Sequence, residues 1–517
     1  MKQYLFKIGA ITVAAASMLS VVGCSSGTNG SSANNSSGSS NSNSSTSLGP
    51  AGSTPTLSWK GTITMYAQAY TPDVPGVYLA PGSSKLTGFE QAAKAFEKLY
   101  PGIKIKFVNS NTYGSNQWYE TEAAGGKLPD VTWVQSAIVG TALPNGIFTN
   151  LTPYYAQPNP FISGNKKWSD IMNPRILEMI KAPDGNQYVD DGDWVGTAFY
   201  YNKDLFKKAG INSAPTTWAQ LIADSKQLKA HGIDPGAINS NTIYSWWGRI
   251  FNPNALGTKT LNSLLAMDHS VGVVGATDQV KGFENGTLDP SKNPALTAWW
   301  PSVKQLLSLW DQSVLEVPVN NTNSSAPSSD SYFDAQKVAI DYSGSWVPMG
   351  VQNLAKNKQF DVGAFNIDDL KGTSKYATNL VTSQDVGGPS AAWQFAVSTQ
   401  KSDSTMTPDK LKAVMAWLEF FSTPKWNQTI VDELGEFVPT FKGAKATAAN
   451  ASLAADLNKP FYSLDYLSNL TAQAPTQINS LFQEYLTGHL SYNAAVQQYE
   501  QIATQAVQQY KVKNNVQ

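Results

Sequence analysis

The chain holds three histidines, His231, His269 and His489, and their spacing gives neither an HExxH pair nor any close set that could share a metal ion. No CxxC, GxxxxGK[ST] or GxSxG motif is present; Ser343 sits in Asp-Tyr-Ser-Gly, which lacks the first glycine of a nucleophile elbow. The tract from Asp184 to Asp193 is rich in Asp, Asn and Gly, as a calcium loop would be. It fails as one, because Tyr188, Val189 and Val195 stand where such a loop needs a ligand, a glycine and a bidentate glutamate. Paired carboxylates acting on a glycosidic bond stay open, since the fold sets their separation. No motif marks an enzyme, and no cofactor or metal is expected. What the chain does supply is aromatic and neutral polar: 15 Trp and 22 Tyr, with only 15% charged residues against about 25% in average domains. Such side chains suit an extracellular protein that handles an uncharged polar ligand. The formal net charge of −1 gives no electrostatic reason to expect nucleic acid or anionic lipid as a partner.

One further residue has chemistry of its own. Cys24 is the only cysteine in 517 residues. It follows Lys2, Lys7 and an uncharged apolar run, Ile8 to Val22, and is preceded by Val21-Val22-Gly23. This arrangement resembles the lipobox of bacterial lipoproteins, which implies lipidation of the Cys24 thiol and removal of residues 1–23. The apolar run is too short for a comfortable membrane span. Residues 25–56 contain thirteen serines, and no charged residue lies between Lys7 and Lys60. Such a stretch buries too little apolar surface to offset its ordering entropy. As a flexible coil, residues 24–56 form a tether of about 30 Å root-mean-square length. With the one thiol committed, the body must be stabilised by packing rather than by disulfides.

About 460 residues follow the tether, more than one core usually organises, so two lobes are expected. Thr62-Ile-Thr-Met-Tyr-Ala-Gln68 alternates as a strand, as does the run from Ile103 to Val108. Between them Phe89, Ala92, Ala93, Phe96 and Leu99 share a helical face that ends at Pro101-Gly102. This β-α-β order predicts a parallel pair with a crossover helix, and Pro129 to Val134 reads as a third strand of that sheet. Asn202 and Gly210 bracket a short helix as N-cap and C-terminal glycine. Thr217 and Gln220 form a capping box for a helix to about His231. Thr407-Pro408 opens another helix, with Ala413, Val414, Trp417, Leu418 and Phe421 on one face.

Six phrases then carry a resemblance. They are Phe96-Glu-Lys-Leu-Tyr-Pro-Gly-Ile-Lys-Ile105, Ala124-Gly-Gly-Lys-Leu-Pro-Asp-Val131, and Tyr200 to Ile211 with Pro215-Thr-Thr-Trp218. Phe333 to Ile340 with Gly344-Ser-Trp346, Trp417 to Pro424, and Glu433-Leu-Gly-Glu-Phe-Val-Pro439 follow. In this order, over roughly 60 to 510, the chain resembles the extracellular solute-binding proteins, family 1. The resemblance implies an α/β, two-lobed periplasmic-binding-protein-like fold of type II, with discontinuous lobes joined by hinge strands around a ligand cleft. The lobes would be 57–193 plus 394–440 and 197–385 plus 441–517, with crossings near Asp193-Trp194-Val195-Gly196 and near Asp385-Val-Gly-Gly-Pro389. It also implies a monomer that hands its solute to the membrane permease subunits of an ABC importer, held at the extracellular face of the cell membrane through Cys24.

Sugar rings offer apolar faces for stacking and hydroxyl edges for directional hydrogen bonds. Trp346 is the leading candidate, since its Gly-x-Trp phrase is similar to a stacking tryptophan of the family. Tyr244, Trp246 and Trp247 lie in a Gly/Asn-punctuated stretch where adjacent tryptophans cannot both face one core. Asp193 and Trp194 fall on the implied hinge. Gln68 and Tyr70 follow the first strand, and Gln135 and Ser136 follow the third, at the carboxyl ends where open α/β sheets bind ligands. A carbohydrate, most simply an oligosaccharide, is therefore the expected ligand. A polyol, polyol phosphate or peptide receptor of the same fold, a secreted glycosidase and a cell-wall adhesin are the alternatives.

Overall fold

Strand order along the chain already separates two sheets. β1 (Gly61–Tyr66), β2 (Ile103–Phe107), β3 (Val131–Trp133) and β4 (Asp190–Asp191) come first, and β5 (Asp193–Trp194) leads to β6 (Thr197–Asn202). β7 (Asp234–Gly236), β8 (Val338–Gly344), β9 (Val362–Phe365), β10 (Gln394–Val397) and β11 (Val438–Pro439) follow. One sheet runs β2-β1-β3-β10-β4, the other β7-β8-β6-β9, and β5 pairs with β11 in a two-stranded ribbon between them. The computed structural model describes residues 47–72, 86–109, 114–136, 139, 143–182, 184–265, 274–319, 326–367, 371–377, 392–446, 462, 464, 466–467, 470–471 and 473–514. All belong to one compact unit, Thr46–Gln517. Cys24, most of the tether and the Asp385–Pro389 crossing lie outside the described residues.

The opening β-α-β unit forms as its periodicity predicts: β1 pairs in parallel with β2 across the helix Gly88–Leu99, and β3 adds in parallel on the other side of β1. Phe89, Ala92, Ala93 and Phe96 are buried, but Leu99 is 45% exposed, contrary to the periodic reading. Tyr100 takes the inward place at that helix end, its ring 4.8 Å from that of Phe96 and its hydroxyl donating to the Pro55 carbonyl. The antiparallel insertion of β10 next to β3 brings the chain back into the first sheet after the second is complete.

Each sheet has its own core. Ile63, Phe89, Phe96, Trp393, Phe395 and Trp417 typify the first, which draws on residues 63–195 and 392–441. Phe199, Trp218, Trp247, Leu261, Trp300 and Tyr499 typify the second, drawn from residues 199–510. The capping signals hold. Asn202 Oδ1 accepts from the backbone of Asp204 and Leu205, Thr217 accepts from Gln220, and Thr407 accepts from Lys410. The helix Pro408–Phe421 buries the predicted face and also Met415, Glu419 and Phe420, because it lies inside the first lobe rather than on its surface.

Candidate functional site

The ribbon between the sheets sets the site. β5 and β11 pair antiparallel, Asp193 opposite Pro439 and Trp194 opposite Val438. Gly192, just before, has Trp393 Nε1 and the Asn427 amide where a β-carbon would stand, so only glycine lets the chain pass. Asp193 is fully buried, and its Oδ2 accepts from the Tyr70 hydroxyl at 2.8 Å and from the Ala392 and Trp393 N–H groups at 3.1 and 3.0 Å. The structure thus joins two of the expected ligand-contacting residues to each other. Burial, and secondarily the Asp193 charge, pushes the Tyr70 hydroxyl well above its ordinary pKa, so it acts as a neutral donor. Trp194 is buried among Ile176, Ile180 and Val438.

On the second lobe, Trp246 and Trp346 come together, their rings 6.0 Å apart and edge-to-face. Both are half-buried. Trp346 N-caps the helix Val347–Gln352, and its indole N–H donates to Asp330 Oδ2 at 3.0 Å. A β-carbon on Gly344 would collide with the Trp346 ring, which gives the Gly-x-Trp spacing a steric reason. Trp346 also packs against the cores of both lobes and lies edge-on to Phe437, which follows the first lobe's last helix. A π-helical turn, Ile243–Trp247, splits the neighbouring tryptophans. Trp247 enters the core against Phe199, Phe251 and Tyr342. Tyr244 is buried too, its hydroxyl donating to the Tyr466 carbonyl. Those two side chains pack the second lobe.

The remaining candidates stand at strand ends of the first sheet. Gln68 is half-buried with φ of 50°, a left-handed conformation uncommon outside glycine, and its Oε1 accepts from Ala69 N–H. Gln135 is exposed, while Ser136 is buried and its N–H donates to Gln394 Oε1 at 2.6 Å. Between the lobes a groove of about 390 Å³ has Leu143, Phe148 and Tyr188 on one side and Thr277, Tyr510 and Asn514 on the other. None of the residues expected from sequence lines it.

Three carboxyls at the hinge escaped the sequence reading. Glu433 accepts from the Thr87 N–H at 2.7 Å and from the Gly88 N–H, so it fills the N-terminus of the helix Gly88–Leu99. Glu436 has its backbone carbonyl held by the Ser345 hydroxyl from the other lobe, and burial pushes its carboxyl up to about 8. Asp330 orients Trp346. Beside it, burial and the Asp330 charge raise Asp334 to about 6 and push Asp341 well above the carboxylate range. The phrase Glu433-Leu-Gly-Glu-Phe contained two of these groups, but its only local signal was the glycine, a left-handed helix C-cap at Gly435. Among the described residues no cluster of His, Cys, Asp and Glu has metal-holding geometry, and no helix is long and apolar enough to cross a membrane.

Two α/β lobes, joined through a β-ribbon and facing each other across a groove with aromatic walls, define a two-lobed binding protein. The chain belongs to the bacterial extracellular solute-binding protein family, whose model matches residues 80–428. A putative binding protein of Brucella abortus is 31% identical over 147 residues, covering 28% of this chain and 33% of that protein. An ABC transporter extracellular-binding protein of Pyrococcus horikoshii, itself uncharacterised, is 23% identical over 287 residues, covering 52% of this chain and 58% of that protein. The chain therefore spans a third to somewhat over half the length of these relatives. The solved complex of RafE with raffinose shares the fold at a TM-score of 0.56 and 17% identity, over 87% of this chain and all of that one.

Proposed function

We propose that this protein is the solute receptor of an ABC importer and captures a carbohydrate, most simply an oligosaccharide, between its lobes. The observation that carries this reading is the pair Trp246 and Trp346, half-buried at the lobe junction with the Trp346 indole fixed by Asp330. Aromatic rings fixed at the junction between the lobes match the apolar faces of sugar rings. The raffinose bound by the RafE relative in fold supports the class of solute. The lobes divide at 57–193 plus 394–440 and 197–385 plus 441–517 in this reading, and Trp346, Trp246, Gln68, Gln135 and Ser136 supply the contacts while Asp193, Trp194 and Tyr70 hold the hinge. Lipidation of Cys24 keeps the receptor, as a monomer, at the outer face of the cell membrane, at high effective concentration near its permease. A thermal-shift screen of mono- and oligosaccharides tests the reading, since a solute bound only by the folded state raises the melting temperature. Stabilisation by an oligosaccharide is the expected result; no shift with any saccharide at millimolar concentration overturns it.

A further inference from the structure

The groove between the lobes shares no residue with the Trp346 junction. Its first-lobe side is the loop 143–148 with the turn at Asp184 and Tyr188. Its second-lobe side is the start of the helix Ala276–Glu284 and the end of the helix Tyr492–Asn514. The volume of about 390 Å³ falls in the range of about 300–1,000 Å³ usual for small-molecule sites. Part of the lining is apolar and fixed in place. Leu143, Ile147 and Phe148 are buried in the first lobe, and Tyr510 belongs to the core of the second. Phe148 is held by a β-bridge to Ser398 and by the edge-on ring of Tyr119.

The polar groups around these rings suit an uncharged ligand. Tyr188 donates its hydroxyl to Asp184 Oδ2 at 2.7 Å, and the Asn186 N–H donates to Asp184 Oδ1 at 3.0 Å. The tyrosine oxygen and the carboxylate are thus held in place, each with lone pairs left to accept from a ligand hydroxyl. Asn514 Nδ2 donates to the Tyr510 carbonyl, which leaves the amide oxygen as an acceptor. The Thr277 hydroxyl is engaged by no described residue. No lysine or arginine lines the groove, and Lys401, which approaches Gly146, donates to the Asn145 carbonyl at 2.9 Å. A carboxylate without a lining cation disfavours an anionic ligand. Aromatic rings surrounded by hydroxyl, amide and carboxylate groups match a sugar unit, which is apolar on its face and polar at its edge.

We propose that this groove is a second saccharide site, in which a neutral sugar unit lies between Tyr188 and Tyr510 with Asp184, Thr277 and Asn514 on its hydroxyls. The inference goes beyond the reading of the Trp346 junction by adding a site that this junction does not supply. A sugar seated in the groove touches both lobes, so its binding is linked to their relative position. The unit is either the far end of a chain held at Trp346 or a second molecule.

The test is titration calorimetry at pH 7 with maltotetraose, cellotetraose, xylotetraose and N-acetylated chitotetraose, and with the matching disaccharides. Thr277→Trp fills the groove from the second lobe, and Asp184→Ala removes an acceptor and releases Tyr188 on the first. Both side chains lie outside the cores, and circular dichroism checks folding. At least one of these sugars should bind, and each variant should weaken it at least tenfold or remove one of two binding events. A disaccharide that binds twice to the wild type and once to the variants places a second molecule in the groove. A tetrasaccharide that binds once, and loses affinity where its disaccharide does not, places the far end of one chain there. Saccharide binding that survives at wild-type strength in either variant overturns the inference and leaves the carbohydrate reading standing. Absence of binding by every saccharide, in this titration and in the broader screen, removes both.

Discussion

Tyr70 and Asp193, 123 residues apart, are joined by a 2.8 Å hydrogen bond from hydroxyl to carboxylate at the root of the hinge. The same oxygen accepts two backbone N–H groups from Ala392 and Trp393, where the chain has just re-entered the first lobe. One carboxylate thus ties together the end of the first strand's loop, the outgoing crossing and the returning one. An aspartate that looked available to a solute hydroxyl is spent on the hinge itself.

Removing the tyrosine hydroxyl tests that role. Tyr70→Phe keeps the ring against Phe89, Trp393 and Phe437 but leaves the buried carboxylate one donor short. Losing such a partner costs about 1–3 kcal/mol, so chemical denaturation should show a lowered midpoint. An unchanged midpoint would mean that the bond contributes nothing.

Glu436 makes stability fall with rising pH. Its folded pKa, about 8, lies above the ordinary 4.5, so the folded state binds the proton more tightly than the unfolded chain does. Its contribution is whole below about pH 4.5 and is lost as pH climbs through about 8, each unit of difference being worth about 1.4 kcal/mol. Glu436→Gln cannot ionise. Relative to it, the wild type should lose stability between pH 5 and 8 in urea titrations, and parallel pH profiles would place the carboxyl in water.

Trp346 and Trp247 should separate function from packing. Trp346→Ala should weaken solute binding by at least about 1 kcal/mol while the protein stays folded. Gly344→Ala should weaken it too, by displacing the same ring. Trp247→Ala should instead cost about 3–5 kcal/mol of stability, as for a large aromatic removed from a core. Calorimetry and thermal melting on the three variants distinguish these outcomes; equal affinity of Trp346→Ala and wild type removes Trp346 from the site.

Much of the scaffold was legible because its signals are local. Asn202, Thr217 and Thr407 cap helices through contacts two or three residues away, and the first β-α-β unit follows from alternation and one apolar face. Leu99 misled because periodicity does not say where a helix leaves the core; Tyr100 filled the inward place. The site was less legible because its contacts span the topology. Asp330 meets Trp346 only because the helix Ser329–Asp334 packs on β8, and Glu433 reaches Gly88 over 345 residues. Trp246 and Trp247 both pack on the second lobe's core and both meet Tyr342, contrary to the reading that adjacent tryptophans cannot face one core; they differ only in that Trp247 is buried and Trp246 half-buried, within a π-helical turn that composition does not announce.

In the proposed reading the two lobes form a trap that closes on a saccharide. Small-angle scattering of the protein, alone and saturated with the saccharide that stabilises it most, tests this directly. A smaller radius of gyration at saturation is predicted, because in that reading a solute would be held between Trp346 on one lobe and the strand ends at Gln68 and Gln135 on the other. Saturating binding with an unchanged radius would rule out lobe closure.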